Sequence, residues 1–500
     1  MSSCEWLSGL CKRRWLRWLF TLFLLSALFA FVAVGYAVYL VMQDEPVVYA
    51  DIEEHFKYGS TGGERASGFP YWIFQSMPQV CKAHLPGGYA SLGFIYEKDK
   101  DLPIGMSKRN FQSIDRTFLN CSVCHTSTVR ENQKAKAEIH LGMPANRFNI
   151  WSFQKFFFDC AQDANFSSDH VVPEIDRLLR ERGEKLGLID RYVIYPVAIA
   201  IMRDRLLMLR GRFSPMFDHP EWGPGRVDTF NAAKVLFNFP LDQLAHEMNA
   251  PSDFPSIWLQ KPRENMQLHW DGNNTVVEER NKSAAFGTGT TPPTLDRAAI
   301  GRIEEWMLTR EPPKYPYSIN AGLAARGGKL YAEYCAGCHG AGGRDFSGAL
   351  VGKVTPWKEI GTDKRRLNSY THELAVNQAT LYAGYDWRFK TFRKTFGYAN
   401  MPLDGLWLRA PYLHNGSVPS VRDLLEPASQ RPKIFYRGYD VYDQAKLGFV
   451  GDIPAEGALK FFRYDTSVPG NTNVGHEGKI YGTQLSSADK NALVEYLKTF

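Results

Sequence analysis

The stretch that decides the fold is "NCSVCHTSTVR", Asn120 to Arg130, in which two cysteines stand three residues apart and a histidine follows at once. The same pattern returns at "YCAGCHGAGG", Tyr334 to Gly343. The chain has 8 cysteines in 500 residues, so these two copies of CxxCH hold half of them. Whatever chemistry the first copy performs, the chain needs it twice.

CxxCH has a direct chemical explanation. Its thiols can add across the two vinyl groups of haem while the adjacent imidazole binds the iron. A zinc site would need a second CxxC or an HxxxH nearby, and a thioredoxin-like pair would need neither the histidine nor a second copy. The sequence therefore predicts two covalently bound haem c groups. The predicted attachment and proximal iron-binding residues are Cys121, Cys124, His125, Cys335, Cys338 and His339.

The bulk composition is that of a globular protein of two or three domains, with 44% hydrophobic and 22% charged residues. Aromatic residues reach 14%, which suits a chain that surrounds a flat apolar ligand, although a phenylalanine-rich core explains it equally well. The formal net charge is only +6, and no basic run longer than "KRR" occurs. Nucleic-acid binding therefore has no support.

The N-terminus carries a charge-free run from Trp18 to Gln43, longer than the roughly 20 residues needed to cross a bilayer. Basic residues precede this run and acidic residues follow it, so the positive-inside rule predicts an N-terminus in the cytoplasm. A cleaved signal peptide is the competing interpretation, but its apolar region is usually shorter. We expect a single-pass inner-membrane anchor with the haem domains in the periplasm.

The four other cysteines fall into two pairs. Cys4 and Cys11 lie before the apolar run and are expected to be reduced in the cytoplasm. Cys81 and Cys160 lie in the exported part, where an oxidising compartment would allow a disulfide. Spacing alone leaves their pairing open, because bonding needs the two Cα atoms close together.

The predicted fold class is mainly α, with two cytochrome c-like haem domains after the N-terminal transmembrane helix. Residues 1–43 form the cytoplasmic tip and anchor, 44–310 an N-terminal haem domain, and 311–500 a C-terminal one. The proline-rich stretch "TREPPKYPYSINAG" cannot hold a long helix and is the expected linker. Residues 44–110 are expected to be irregular, because they are rich in glycine and proline.

Helical patterns flank the second CxxCH. "GLAARGGKLYAEYCAGCHG" reads as an amphipathic helix that runs into the motif, and "LSSADKNALVEYLKTF" as a final helix capped by Ser486 or Ser487. Such a pair of crossing helices makes residues 320–500 resemble a cytochrome c domain. Before the first motif, "RNFQSIDRTFLNCSVCH" is predicted to be a comparable helix, with Phe111, Ile114 and Phe118 on one side.

The residue on the far side of each iron decides function, because two strong ligands favour electron transfer and an open face permits chemistry. Met401 in "NMPLDGLW" is one candidate for the second haem, at a spacing typical of single-haem cytochromes c. His476 in "PGNTNVGHEGKIYG" is the other. No partner for the first haem suggests itself from spacing.

Several stretches resemble the bacterial dihaem cytochrome c peroxidase and MauG superfamily, and more specifically its rubber-oxygenase-like group. They are "LDGLWLRAPYLHNGSVPSVRDLL", "FYRGYDVYD", "DTSVPGNTNVGHE", "GPGRVDTFN" and "LGMPANRF". The resemblance implies a second haem with two histidine ligands, the second being His476, with Met401 as runner-up. It also implies that His414 is a hydrogen-bonding pocket residue near that haem.

For the first haem, the resemblance implies an iron with no second protein ligand in an apolar pocket that can carry O₂. Phe230 and Phe237 are the candidate pocket phenylalanines, although either could be plain core. Arg226 could donate to a haem propionate or form an ordinary salt bridge. Trp222 is a candidate for a tryptophan between the haems, as in the dihaem peroxidases.

Two functions follow as hypotheses. The chain is either an electron-transfer protein that exchanges electrons with periplasmic or membrane redox partners, or an oxidoreductase that uses a small oxidant, O₂ or peroxide, at the first haem. The rubber oxygenases that it resembles are secreted free, whereas this chain carries an anchor. The anchor favours membrane-associated electron transfer over attack on an extracellular polymer.

Overall fold

The computed structural model describes residues 3–242 and 244–500, with side chains from residue 15 onward. The side chains of Cys4 and Cys11 are not among those described, so their reduced state stays a prediction. The helices are α1 Ser3–Met42, α2 Ile52–Tyr58, α3 Gly63–Ser67, α4 Tyr71–Val80, α5 Ile150–Gln162, α6 Ser168–Glu181, α7 Tyr195–Phe217, α8 Thr229–Leu236, α9 Val277–Phe286, α10 Arg297–Thr309, α11 Ala321–Tyr334, α12 Ala336–His339, α13 Trp357–Ile360, α14 Arg365–Ser369, α15 His372–Leu381, α16 Val421–Leu424 and α17 Ser487–Leu497.

Short strands connect these helices. They are β1 Asp44–Pro46, β2 Phe69–Pro70, β3 Met106–Phe111, β4 Ile114–Leu119, β5 Thr126–Val129, β6 Glu138–Leu141, β7 Arg226–Val227, β8 Ser252–Asp253, β9 Val354–Pro356, β10 Gly397–Ala399, β11 Ile434–Arg437, β12 Tyr442–Asp443, β13 Gly448–Phe449, β14 Ala455–Glu456, β15 Leu459–Lys460 and β16 Phe462–Asp465. Helices cover 43% of the chain, so a mainly α fold is only partly right.

Helix α1 contains a candidate membrane span, Trp15–Met42, of 28 residues, in which Arg17 is the one charged residue. At 1.5 Å per residue this stretch is about 42 Å long, more than the roughly 30 Å of a bilayer's hydrocarbon core. None of it is buried against the rest of the chain. By length and composition α1 can cross a membrane once.

The segment before the first CxxCH is a β-hairpin, so the helix predicted for "RNFQSIDRTFLN" is wrong. β3 and β4 pair antiparallel at the centre of a four-stranded sheet with the order β1-β3-β4-β2. Gln112 and Ser113 connect them with φ angles of 57° and 59°. Two successive left-handed residues fit the two-residue turn that matches strand twist, and Gln-Ser is not the Asn-Gly signal that would have predicted it.

Residues 44–110 also hold more regular structure than expected, since α2, α3 and α4 lie there. Helix α4 packs with α5 and α6 around a large aromatic core that includes Phe74, Phe157 and Trp151. Cys81, at the end of α4, forms a disulfide with Cys160 in α5, with the two Cα atoms 5.5 Å apart. The pairing that the sequence left open is thus present.

The two helices predicted to flank the C-terminal haem motif are confirmed. Helix α11 runs into the second CxxCH and crosses α17, whose first turn is capped by Ser486 through a hydrogen bond from the Asp489 backbone N–H. Tyr331 of α11 and Leu493 of α17 are fully buried at the crossing. Residues 310–320 contain no helix, as expected for the linker.

The two halves share one interior. The core around Leu493 also contains Val129, Met143 and Trp258 from the first half. An isolated parallel bridge joins Arg130 to Val441. The hydrophobic core therefore continues across the boundary that was predicted near residue 310.

Candidate functional site

The first CxxCH is held by a capped turn. The Asn120 side chain accepts a hydrogen bond from the Ser122 backbone N–H at 3.0 Å and donates to the backbone carbonyl of Gly59 at 3.0 Å. His125 directs its Nδ1 at the carbonyl oxygen of Pro255, 2.9 Å away. Burial lowers the pKa of His125 to about 4, so the imidazole is neutral and its Nε2 keeps a lone pair.

The second CxxCH repeats this arrangement on a different scaffold. Helix α12 ends at His339, whose Nδ1 lies 2.7 Å from the carbonyl oxygen of Met401. Burial lowers the pKa of His339 as well. A carbonyl acceptor at Nδ1 fixes the ring and directs Nε2 away from the backbone, which is how metal-binding histidines are usually oriented.

The four motif cysteines are not linked to one another by disulfides. Burial raises the pKa of Cys121 to about 11 and that of Cys335 to about 12, so neither thiol is activated as a thioredoxin-like pair requires. Across residues 3–242 and 244–500, no group of three or more His, Cys, Asp or Glu could hold a metal ion. The zinc and thioredoxin-like alternatives thus gain no support.

His476 faces His339. Their ring centroids are 6.3 Å apart. Imidazole nitrogens bind transition metals at about 2 Å, and a ring nitrogen lies roughly 1 Å from its centroid, so one metal between two imidazoles implies about 6 Å. Nδ1 of His476 is buried without a partner among the described residues. The separation of the two rings fits an iron porphyrin between them.

The loop that carries His476 is held by one buried arginine. The Arg431 guanidinium donates to the carbonyl oxygens of Asn473, Gly475 and His476, the last two at 2.9 and 3.2 Å. The Tyr481 ring packs on the imidazole at 4.6 Å between centroids. His476 has a φ of 49°, a left-handed conformation that non-glycine residues seldom adopt, so tertiary contacts must impose it.

Met401, the runner-up ligand, is placed differently. Its backbone carbonyl accepts the hydrogen bond from Nδ1 of His339. Because Nδ1 points away from a metal bound at Nε2, this backbone lies on the His339 side of the site. The opposite side is occupied by His476, so the geometry favours His476 over Met401.

A cavity lies between the segments that orient the two motif histidines. Pro255 and Met401, the carbonyl acceptors of His125 and His339, both line it. Other lining residues include Pro144, Phe254, Leu268, His269, Trp270 and Arg280. The cavity thus reaches from the first site towards the second.

Arg280 lines this cavity without a partner. Its side chain is 9% exposed, and none of the described residues accepts a hydrogen bond from its guanidinium or forms a salt bridge with it. Burial, followed by the positive charge of Arg263, lowers its pKa to about 10. A buried arginine that remains charged needs an anion, and a haem propionate would supply one.

Arg226, the predicted propionate contact, is engaged elsewhere. It is fully buried and donates to the Trp222 carbonyl at 2.9 Å and to Oδ1 of Asn471 at 2.8 Å, and its guanidinium lies 4.8 Å from the Tyr464 ring centroid. It does not line the cavity. Arg226 therefore forms neither a surface salt bridge nor a cavity contact. Its hydrogen bonds link Trp222 of the first half to Asn471 of the second half.

His269 is a cavity residue that the sequence reasoning missed. Its Nδ1 lies 2.7 Å from Oδ1 of Asn273, and no described residue hydrogen-bonds its Nε2. Burial, followed by the charge of Arg280, lowers its pKa to about 4. His269 and Arg280 line the same cavity, and the charge of Arg280 also lowers the pKa of His125. The only sequence signal was the short run "LHWDGNN".

The tryptophan at the cavity is Trp270 and not Trp222. Trp270 donates from Nε1 to the Asp253 carbonyl at 2.7 Å, and its own carbonyl accepts from the Ala399 N–H at 2.9 Å. These contacts tie it to both halves. Trp222 instead packs in the first core, 4.8 Å from Trp151 between ring centroids, so the position proposed for it lacks support.

The two candidate pocket phenylalanines lie outside the cavity lining. Phe230 stacks on Tyr370 at 4.3 Å and beneath the Arg366 guanidinium at 4.5 Å. Phe237 packs edge-on against Phe286 at 5.8 Å. The structure places both in small aromatic clusters, which is the plain-core alternative.

His414 acts as a support. Its Nε2 is 3.0 Å from the Tyr398 hydroxyl, and the two rings stack at 4.1 Å. Tyr398 lies in β10, which leads directly to Met401, the residue whose carbonyl orients His339. His414 therefore hydrogen-bonds to the strand that leads to Met401, next to the second site.

Comparison with known families gives two matches, both in the C-terminal half. Residues 322–402 match the cytochrome c oxidase, cbb3-type, subunit III family, and this range includes the second CxxCH. Residues 397–436 match the RoxA-like, cytochrome c-like family and include His414. The C-terminal half thus contains cytochrome c-like sequence, of a class that binds haem covalently and transfers electrons.

Two similar proteins come from Sinorhizobium fredii (strain NBRC 101917 / NGR234). The uncharacterized protein y4iM is 32% identical over 289 residues, which cover 50% of this chain and 64% of that protein. The uncharacterized protein y4iJ is 26% identical over 517 aligned positions, covering 83% and 82%. The chain therefore spans less than two thirds of y4iM and most of y4iJ.

Proposed function

We propose that the protein is a membrane-anchored dihaem cytochrome that transfers electrons in the periplasm, with α1 in the inner membrane. The observation that carries this proposal is the 6.3 Å separation of the His339 and His476 rings, a spacing that would let both imidazoles bind one iron. Haem c, when attached, supplies a one-electron iron couple. Two strong ligands suit electron transfer because they leave no position for a substrate.

At the second site, Cys335 and Cys338 would hold the haem and His339 and His476 the iron. At the first site, Cys121 and Cys124 would hold the haem, His125 its iron, and Arg280 a propionate. We assign His269 as the candidate second ligand there, because it lines the cavity that Pro255, the acceptor of His125, also lines, and because its Nδ1 is fixed by Asn273. Each iron would then have two imidazole ligands from this chain.

Location in the periplasm rests on two features. The basic residues before the apolar run favour a cytoplasmic N-terminus. The Cys81–Cys160 disulfide favours an oxidising compartment for the domain that follows. Redox partners would then be membrane enzymes or periplasmic electron carriers.

The test is the spectrum of the dithionite-reduced, detergent-solubilised full chain with and without carbon monoxide. We expect no CO-induced change in the wild type. His476→Ala should open the second site and His269→Ala the first, so that each variant binds CO at one haem. The exposed His246 supplies the control, because His246→Ala should leave the spectrum unchanged.

The second candidate function is an oxidoreductase that uses O₂ or peroxide at the first site. It is favoured by the cavity beside His125, which could admit a small oxidant. If the wild type binds CO at one haem and His269→Ala changes nothing, His269 is not a ligand. Peroxide turnover with a dye donor then becomes the decisive measurement, and electron transfer alone is no longer the better description.

A further inference from the structure

Helix α7 and the single π-helical turn before it, Asp190–Ile194, present apolar side chains on two opposite faces. One face is buried in the first core, through Ile199, Met202 and Leu206. The other face is free. Its apolar members, between 51% and 75% exposed, are Leu188, Ile189, Tyr192, Val197, Ile201 and Met208.

The free face follows helical spacing. Val193, Val197, Ile201, Arg205 and Met208 succeed one another at intervals of three and four residues, so they lie along one stripe. Between residues 186 and 217 there are five arginines and two aspartates. We call this stripe the α7 face. Single exposed apolar residues are normal on a soluble surface, but a continuous stripe of this length marks an interaction site.

The position of the α7 face relative to α1 identifies what covers it. The tip of the β3–β4 hairpin binds the end of the membrane-spanning stretch, since the Gln112 N–H donates to the Gln43 carbonyl at 2.8 Å and Ser113 Oγ to the Leu40 carbonyl at 2.9 Å. The hairpin thus lies where α1 leaves the bilayer.

The same hairpin adjoins α7. Nζ of Lys108 in β3 lies 4.5 Å from the ring centroid of Tyr71, and the Tyr71 hydroxyl accepts a hydrogen bond from Arg182, which directly follows α6, at 3.4 Å. Phe118 of β4 and Tyr195 of α7 pack against the same hydrophobic core. The segment that leads into α7 is therefore tied to the hairpin through Tyr71, on the side of the domain where the anchor enters the membrane.

We propose that the α7 face lies in the interfacial layer of the same bilayer that α1 crosses. Apolar side chains would enter the boundary between headgroups and acyl chains, and the exposed Arg205 and Arg212 would contact anionic headgroups, as in interfacial amphipathic helices. This inference goes beyond electron transfer and rests on α1 spanning the membrane. It gives the domain two attachments, which fix its orientation to membrane redox partners.

The experiment uses the full chain in nanodiscs of phosphatidylcholine and phosphatidylglycerol. In a Cys4→Ser, Cys11→Ser background, a nitroxide is attached at Val197→Cys and, as a matched control, at Val376→Cys, an exposed valine on helix α15. Accessibility to O₂, which enters lipid, is compared with accessibility to a polar nickel complex, which does not.

At position 197 we expect high O₂ accessibility and several-fold lower nickel accessibility than at position 376. Equal nickel accessibility at both positions would overturn the proposal. So would low accessibility to both reagents combined with spin–spin broadening, because it would indicate a protein partner or a second copy. Failure of the chain to enter nanodiscs would count against the anchor, and labelling of the background variant would count against thioether attachment of the motif cysteines.

Discussion

At the scale of single residues, the chain orients its key histidines by one device. His125, His339 and His269 each have Nδ1 fixed by an oxygen acceptor, which leaves Nε2 for a metal. The carbonyl acceptors of the two motif histidines are far away in sequence, 130 residues from His125 and 62 from His339, whereas the acceptor of His269 is the nearby Asn273. The CxxCH motif thus identifies the candidate iron-binding histidine, and a carbonyl group distant in the sequence fixes the orientation of its ring.

Arg280 gives the residue-scale prediction. We expect Arg280→Gln to lower the midpoint potential of the first site, because a nearby positive charge favours the reduced, less positive iron. A unit charge near the iron at an effective dielectric constant of about 20 corresponds to a shift on the order of 50 mV. The measurement is a spectroelectrochemical titration of the solubilised protein.

Two variants control this titration. Arg280→Lys keeps the charge and should retain most of the wild-type potential, although the bidentate geometry is lost. Arg297→Gln removes an arginine whose side chain is 53% exposed and should have no effect. A potential unchanged in Arg280→Gln would show that this residue does not face the first haem.

At the scale of elements, the two CxxCH motifs have different supports. The second follows helix α11, as its 3.6-residue pattern predicts, whereas the first follows the β3–β4 hairpin. The hydrophobic residues Phe111, Ile114 and Phe118 fit helical spacing equally well. Pairing of β3 with β1 and β4, which sequence periodicity does not encode, selects the strand.

The α11–α17 crossing supplies the element-scale prediction. A Cβ at Gly327 would overlap the Ala492 carbonyl oxygen and lie 2.8 Å from Cβ of Tyr496. We expect Gly327→Ala to destabilise the protein by about 1–3 kcal/mol, because the helices would have to move apart. The measurement is denaturant unfolding of the solubilised chain.

Gly322 in the same helix is the matched control, since the nearest atom to its added Cβ is Oδ1 of Asn320 at 3.5 Å. Gly322→Ala should be neutral or stabilising by up to about 1 kcal/mol, because alanine favours helix. Equal stability of the two variants would mean that the helices do not approach closely at Gly327.

At the scale of the whole molecule, the two halves are joined by buried polar contacts. Arg437 donates to Asp253 at 2.8 Å, with the two side chains 1% and 7% exposed. Arg366 pairs with Asp271 at 2.8 Å, again across the halves. The cavity between the two motifs exists because these contacts hold the halves together.

The whole-molecule prediction concerns these buried contacts between the two halves. Asp253→Asn leaves Arg437 buried without its carboxylate, so we expect a loss of about 3–5 kcal/mol. Because the halves share one core, unfolding should remain a single transition in scanning calorimetry. Asp386→Asn, which breaks an exposed pair with Arg297, should cost less than about 1 kcal/mol. Two transitions, only one of them moved by Asp253→Asn, would contradict a shared core.

The sequence by itself determined the two CxxCH motifs, the apolar span, the helices α11 and α17 and the helix-free segment between the halves. These features are local, because each depends only on residues that are close together in the sequence. Examples are a thiol pair beside an imidazole, a charge-free run and a 3.6-residue repeat. Even the choice between His476 and Met401 was open on local grounds and needed a family resemblance.

Tertiary structure alone decided which residues meet at the two sites. It set His476 opposite His339, placed the backbone of Met401 on the near side, and brought His269, Trp270 and Arg280 to one cavity while Trp222, Phe230 and Phe237 packed elsewhere. The physical reason is that a ligand or a counter-charge is selected by distance in space, and the contacts that set those distances join residues from tens of positions to more than two hundred apart.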